Sequence, residues 1–302
     1  MGGKLSVFTC TRPTVGDGKL RNREGGARGA APAKPATDGK GPPNLLQPDG
    51  EFYKNLAVEC SKEQLCVDVW NCNSAYADLA SLGQLAKHTG GSIYHYRGFS
   101  DVTHGEALSR ELQHNLTRAQ GLEAVMRVRA SRGLKIAAFY GHFFIRGVDL
   151  LALPNVDEDK SFAVEIAHEE AELNYANACV QAALLYTTTC GERRIRVLTI
   201  QVPITSAIST LYERADVDGC AALMGRIAAE AAVASRPLDG AEKLQNGATE
   251  MLRAYRSLCP PTARNTASLL LPDTLRLLPL YVLAQARTLA EKSSWMHATE
   301  KA

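Results

Sequence analysis

Apolar and polar positions change their period twice along this chain. Residues 5–8 (Leu-Ser-Val-Phe) read as a short strand. Residues 52–63 read as a short helix, 65–70 as a buried strand, and 76–88 as a helix stopped by Gly90-Gly91; 92–96 is again extended. Strand–helix–strand spacing of this kind predicts a parallel sheet covered by helices. Leu108, Leu112 and Leu116, spaced by four, predict an amphipathic helix over 104–118 that closes this unit.

The period then shortens. Residues 122–129, 134–145, 162–166, 180–187 and 195–202 are five extended runs, separated by turn chemistry at 131–133, 154–159 and 190–192. Short strands in succession without helices between them predict an antiparallel sandwich. Beyond Pro203 the pattern is helical, over 207–214, 216–235 and 239–258, with Pro237 and Pro260-Pro261 as breakers. Pro272-Asp273 opens a last helix, to about residue 290, which an interior Pro279 should kink. The predicted fold class is therefore multi-domain α and β: an α/β region over 1–118, a β-sandwich over 119–203, a helical domain over 204–292 and a tail over 293–302. Residues 12–50, rich in Gly, Pro, Ala and Lys and free of aromatics, bury too little apolar area to offset their ordering entropy and read as a mobile loop.

Composition narrows the function classes. A hydrophobic fraction of 45% with 22% charged residues is that of a globular chain, and a net charge of +2 gives no field that would draw nucleic acid or a bare lipid surface. No apolar run reaches the eighteen or so residues of a membrane span, and the N-terminus lacks the apolar region of a signal peptide; a myristoylation reading of Gly2 is weak. The eight cysteines are scattered without a Cys-x-x-Cys pair, mostly in apolar stretches, which predicts buried, unpaired thiols in a reducing compartment and no metal site. The Asn115-Leu116-Thr117 sequon would then go unused.

Enzymatic signals are thin. His142 stands alone in an apolar run and reads as a packing residue. Cys190, in an apparent hairpin turn near Arg193, Arg194 and Arg196, has no base partner in the sequence. Asp157-Glu158-Asp159 reads as a solvated acidic turn without calcium-loop spacing. Binding signals are better: Arg127 and Arg129 project from one face of a predicted strand, and guanidinium forks suit the carboxylates of an acidic peptide, although a solvated, salt-bridged sheet face would give the same pattern. Arg194 and Arg196 repeat that alternation.

Longer strings carry a resemblance. Phe52-Tyr53-Lys54-Asn55-Leu56-Ala57, Asp78-Leu79-Ala80-Ser81-Leu82 and Thr89-Gly90-Gly91 resemble the trunk domain of the cargo-adaptor subunit of the COPII inner coat, in the Sec-type protein-transport family. Glu123 through Arg129, Tyr140-Gly141-His142-Phe143, Asp149 through Pro154 and Gly191 through Val197 resemble its β-sandwich, and Pro272 through Leu283 its helical domain. The resemblance spans about residues 2–10 and 51–290, in order, and the Met-Arg-x-Arg and Tyr-Gly-His-Phe strings belong to the adaptor branch rather than to the homologous GTPase-activating subunit.

The resemblance implies a partial trunk of von Willebrand A-like type and a non-enzymatic adaptor that binds acidic sorting signals in cytoplasmic tails of cargo during transport from endoplasmic reticulum to Golgi. It implies Arg127 and Arg129 as the signal-binding cations and Leu185, in the Val-Gln-x-Ala-Leu-Leu strand, as an apolar wall. The implied partners are the GTPase-activating subunit as heterodimer, cargo tails, and indirectly the small coat GTPase and outer coat, with no nucleic acid. The implied location is cytoplasmic, peripheral on the endoplasmic reticulum membrane and COPII vesicles. No cofactor is expected in this segment, because the family's zinc ribbon and first trunk half would lie upstream and its gelsolin-like domain downstream; the chain is expected to be a partial one, whether from a truncated gene, a divergent paralogue or a fragment of a longer chain, with an unpaired sheet edge. Two other readings stand beside this one: a small-molecule hydrolase or transferase using His142 or Cys190, and a degenerate, non-functional paralogue.

Overall fold

The computed structural model describes residues 2–23, 45–145, 147, 149–265 and 269–298. The chain forms two compact units, Met1–Glu172 with Cys179–Gln201, and Leu173–Ala178 with Val202–Ala302.

The first unit opens with β1 (Gly3–Thr9), α1 (Phe52–Lys62), β2 (Leu65–Asn71), α2 (Leu79–Thr89), β3 (Ile93–His95) and α3 (Asp101–Thr117). The strands form a parallel sheet in the order β1-β2-β3, with Val7 beside Val69 and Val69 beside Ile93. One face packs Val7, Val67 and Val69 against Tyr53, Ala57, Leu82 and Leu85 of α1 and α2. On the other, Phe8, Trp70 and Tyr94 stack across the three strands at centroid spacings of 5.6 and 3.8 Å. Buried Asp68 lies beside them, 2.9 Å from Lys4 Nζ and accepting from Ser92 N and Asn115 Nδ2. Burial on both faces explains why β2 shows no alternation.

The described flanks of the predicted mobile loop are tied down. Leu20 is buried in the α1–α2 core, Tyr53 Oη donates to Gly18 O, and Arg23 holds Asp78 through Nε and Nη2 and the Gln47 carbonyl through Nη1. Residues 24–44, the middle of that loop, lie outside the described residues. Asp78, with a φ of 48°, caps Ser81 N, so α2 begins at Leu79 rather than at 76. The predicted apolar stripe of α3 is not a core face: Leu116 is exposed and the buried position is Asn115, which donates to Asp68 and to the Tyr94 hydroxyl. The sequon asparagine is thus part of the interior.

The rest of the unit comprises β4 (Gln120–Ala130), β5 (Leu134–Tyr140), β6 (Phe144–Ile145), β7 (Leu150–Asp157), β8 (Ala163–His168), β9 (Asn177–Thr188) and β10 (Arg193–Pro203). Five strands form a sheet in the order β10-β9-β4-β7-β6, and β5 pairs with β8 in a second. Ala124, Met126, Val128, Leu151 and Leu153 form the core between them, with Ile136, Phe139, Phe143 and Val164 packed on it. Two expectations are corrected. The run 134–145 is two strands in different sheets, broken where Gly141 adopts a φ of 148°. Residues 154–157, expected as a turn, complete β7, a largely buried strand. Pro154 is tolerated because it falls opposite Glu123, where β4 itself leaves strand geometry with a φ of 51°.

The acidic turn is also corrected. Asp157 Oδ2 lies 2.8 Å from Arg118 Nη2 and 3.6 Å from Lys160 Nζ, and Asp159 Oδ2 lies 2.7 Å from both Arg118 Nη1 and His114 Nε2. Asp157 is therefore a buried ion-pair anchor, and Asp159 a paired charge at the surface. Nor are the thiols uniformly buried. Cys66 is, and burial pushes it up to about 12, but Cys10, Cys179 and Cys190 are exposed; all eight are unpaired.

The second unit is helical: α4 (Ile208–Glu213), α5 (Val217–Ala234), α6 (Pro237–Leu258), α7 (Pro261–Arg264), a 3-10 turn at Asp273–Leu275 and α8 (Leu278–Ala298). Small residues let helices approach closely around Ala221, Ala228, Ala241, Leu244, Leu275, Leu278 and Val282, and a side chain on Gly240 would strike the Ala228 carbonyl. Pro279 introduces no interior kink. It is the second residue of α8, where the backbone N–H has no helical partner to lose.

Candidate functional site

The side chains of β4 divide between two environments. Ala124, Met126 and Val128 are 0, 9 and 4% exposed and face the sandwich core. Val125, Arg127 and Arg129 take the opposite face by the two-residue period of the strand. A slip of one residue would bury both arginines, so the register is strongly specified. On either side of β4, Arg127 is level with Leu150 of β7 and Ala183 of β9, Arg129 with Gln181, and Val125 with Ala152 and Leu185. Arg127, Arg129 and Leu185 therefore share one sheet face. The arginines stand about 7 Å apart along the strand, and Leu185 lies diagonally across from Arg127 at about 7–8 Å. Ala183, the small neighbour of Arg127, leaves the surface between them low.

The two cations differ. Arg127 Nε lies 3.1 Å from Asp149 Oδ2, with the two side chains 42 and 38% exposed. Arg129 is exposed and has no hydrogen-bond or ion-pair partner among the described residues. Two anchors outside the predicted set hold this geometry. Asp149 was hidden because it precedes a strand that the pattern did not reveal. Glu123 sits where the β4–β9 register shifts; its carboxylate accepts from Gly2 N at 2.7 Å, and its carbonyl accepts from Arg193 Nη1 at 3.1 Å. Nothing in its sequence context, an apparently regular strand, marks it.

The other candidates lie elsewhere. His142 is exposed in the turn between β5 and β6, with Nδ1 3.4 Å from Gly91 O, and not inside a strand. Cys190 is exposed at the tip of the β9–β10 hairpin, beside Gly191 with its φ of 84°. The neighbouring arginines are committed: Arg193 donates to Thr187 Oγ1 and the Glu123 carbonyl, and Arg194 is paired with Glu192. Among the described residues no group of three His, Cys, Asp or Glu side chains is placed to hold a metal ion. No described helix is long and apolar enough to cross a membrane. The face of β4 offers two forked cations and an aliphatic wall on one side of a sheet.

Comparison with known proteins agrees along nearly the whole chain. Residues 1–116 match the Sec23/Sec24 trunk domain, 121–205 the Sec23/Sec24 beta-sandwich domain, and 216–297 the Sec23/Sec24 helical domain. Among curated relatives, protein transport protein SEC24 A of Arabidopsis thaliana is 39% identical over 94% of this chain, and protein transport protein Sec24A of Homo sapiens 38% identical over 94%. The chain spans only 27% and 25% of the length of those two proteins. A crystal structure of the human COPII-coat protein Sec24c superposes with a TM-score of 0.83 at 28% identity, covering 95% of this chain and 37% of the crystallised one.

Proposed function

The chain belongs to the Sec23/Sec24 family, and on that footing we propose that it works without catalysis, as part of a COPII-coat adaptor that selects cargo by binding acidic signals in cytoplasmic tails. The observation that carries the reading is the shared face of Arg127, Arg129 and Leu185, with Arg129 lacking a partner among the described residues and so available to a carboxylate. An extended tail laid along β4 advances about 3.3 Å per residue, so acids two apart in its sequence reach the two arginines in turn. An apolar side chain of the same tail then meets Leu185 across the low surface at Ala183. Bidentate guanidinium–carboxylate pairs give this contact direction as well as strength.

The relatives' names, transport proteins and a COPII-coat protein, support the coat assignment. Family membership supports a heterodimer with the GTPase-activating subunit, contact with the small coat GTPase and outer coat, and peripheral placement on the cytoplasmic face of the endoplasmic reticulum. The place of Cys190 on an exposed hairpin tip, with Arg193 and Arg194 committed to other partners, favours the adaptor over a hydrolase or transferase.

Titration of di-acidic and acid-free tail peptides against the 302-residue chain tests the site. Arg127→Ala or Arg129→Ala should each weaken the di-acidic peptide about tenfold, the loss expected for one charge-assisted contact. Lysine at either position should restore binding only in part, because an ammonium lacks the fork. Equal affinities across the series would reduce the pair to ordinary surface charge.

A further inference from the structure

We propose that the cleft at the carboxyl ends of β1 and β2 is a second binding site, for a small hydroxylated molecule carrying a phosphate group. β1 ends at Thr9 and β2 at Asn71, neighbours in the parallel sheet, and the segments leaving them enclose a cavity of about 270 Å³ lined in part by Cys10, Arg12, Thr14, Asn22, Asn73 and Tyr76. In open α/β sheets ligands bind outside the carboxyl ends of the strands where the strand order reverses, and this cleft shares the first of those two features. The volume sits at the small end of ligand pockets, which suits a phosphate on a short organic body and not a dinucleotide.

Two independent observations make this cleft more than a surface dent. The first is Arg12. Its Nε is buried and without a hydrogen-bond partner, and its guanidinium has no ion pair among the described residues. No carboxylate is among the described residues lining the cleft. The contrast with Arg23 is instructive: that guanidinium is saturated by Asp78 and the Gln47 carbonyl, and so does structural work. Arg12 lines the cleft beside Thr14, Asn22 and Asn73, with no carboxylate among the described lining residues.

The second is Asn73. Its residue is 2% exposed, and its backbone is fixed, N–H donating to Asn71 Oδ1 at 3.2 Å and carbonyl accepting from Gly98 N at 3.0 Å. Its side-chain Oδ1, however, is buried without a partner. A buried unsatisfied amide oxygen costs free energy that a hydroxyl donor would recover. The site therefore asks for both a multi-oxygen anion, to fill the Arg12 fork, and a hydroxyl, to satisfy Asn73. A hydroxylated phosphate monoester supplies the two together.

The proposal stands apart from the peptide-binding face, and its failure would leave that reading untouched. Cys10 provides the readout, since it lines the cleft and is exposed, while exposed Cys190 on the distant hairpin serves as an internal control. The rate of alkylation at each cysteine of the full chain, resolved by mass spectrometry, should be followed with glycerol 3-phosphate, inorganic phosphate, glycerol and acetate at constant ionic strength. Glycerol 3-phosphate should protect Cys10 and leave Cys190 unchanged, inorganic phosphate should protect more weakly, and glycerol and acetate should have no effect. Arg12→Gln should raise the protecting concentration at least tenfold, and Arg12→Lys should recover part of the loss. Broadening of the glycerol 3-phosphate phosphorus resonance by the wild-type chain gives a measure that needs no variant. Protection by acetate as strong as by the phosphate ester, undiminished protection in a folded Arg12→Gln chain, or neither protection nor broadening at millimolar ligand would each overturn the proposal.

Discussion

Arg118 and the Arg127–Arg129 pair are close in sequence and alike in chemistry, yet the fold uses them in opposite ways. Arg118, at the end of α3, has a side chain 4% exposed, pinned between Asp157 and Asp159 at 2.8 and 2.7 Å. Arg127 and Arg129 stand on the open face of β4, one loosely paired at the surface and the other without a partner among the described residues. A buried guanidinium must be neutralised where it sits, so its counter-charges belong to the fold. An exposed one is solvated already, and its forked donors remain free for a ligand. The difference lies in burial and partners rather than in residue type, and it separates arginines that hold the molecule together from those that can bind.

The largest effect that would break this comparison is on stability. Arg118→Met should destabilise the first unit by about 3 kcal/mol, because it strands the carboxylate of Asp157, whose side chain is fully buried and would keep only the longer contact to Lys160. Adding Asp157→Asn should recover much of that loss. Arg129→Ala, by contrast, should move the unfolding midpoint by no more than ordinary surface substitutions do, about 0.5 kcal/mol. Chemical denaturation of the three variants separates the classes, and a comparable loss from Arg129→Ala would erase the distinction.

A smaller effect concerns acid. Hydrogen bonds from Arg118 and His114 hold the Asp159 carboxyl below the usual carboxylate range. A carboxyl whose folded value is depressed contributes stability that is complete above its unfolded value, about pH 4, and is lost as pH falls through the folded value. Asp159→Asn should therefore lower the melting temperature near neutrality and flatten its fall below about pH 4, the two chains converging in acid. An unchanged acid limb in the variant would mean that Arg118 draws its counter-charge from Asp157 alone.

How much of this was open to reading in the sequence follows from the same physics. From Leu122 to Ala130 the even positions of β4 are all apolar, while Glu123, Arg127 and Arg129 are charged, so the face that carries Arg127 and Arg129 could be read from alternation, and the strings around it carried the family. β7 could not, because Pro154 and the acids after it look like a turn until their partners are known: the Glu123 irregularity opposite the proline, and Arg118 against Asp157. Those partners are remote in the chain, and local pattern holds no trace of them. The same holds for α3, whose leucine spacing predicted a core face, whereas the fold buries Asn115 against Asp68. Pro279 misled in the other direction, since a proline forbids helix interiors but not helix starts, and only the 3-10 turn before it shows where α8 begins.

The smallest expected effect sharpens the comparison from the binding side. Arg127 is not wholly free, since Asp149 holds it at 3.1 Å. Both side chains are more than a third exposed, so solvent screens the pair and it is worth about 0.2–1 kcal/mol. An acidic tail that engages Arg127 must share or displace that carboxylate, and Asp149 adds a like charge close to the tail's own acids. Asp149→Asn removes both obstacles and leaves a side chain of similar shape. It should tighten di-acidic peptides by up to about fivefold and leave acid-free peptides unchanged. Because screening acts over about 8 Å at physiological ionic strength, the gain should shrink as salt is raised. The gain should also shrink in an Arg127→Ala background, where only the like-charge repulsion is left to relieve, while persisting in full with Arg129→Ala, since Asp149 is paired with Arg127 and not with Arg129 among the described residues. A gain undiminished by the loss of Arg127 would mean that the Arg127–Asp149 pair does not compete with the tail.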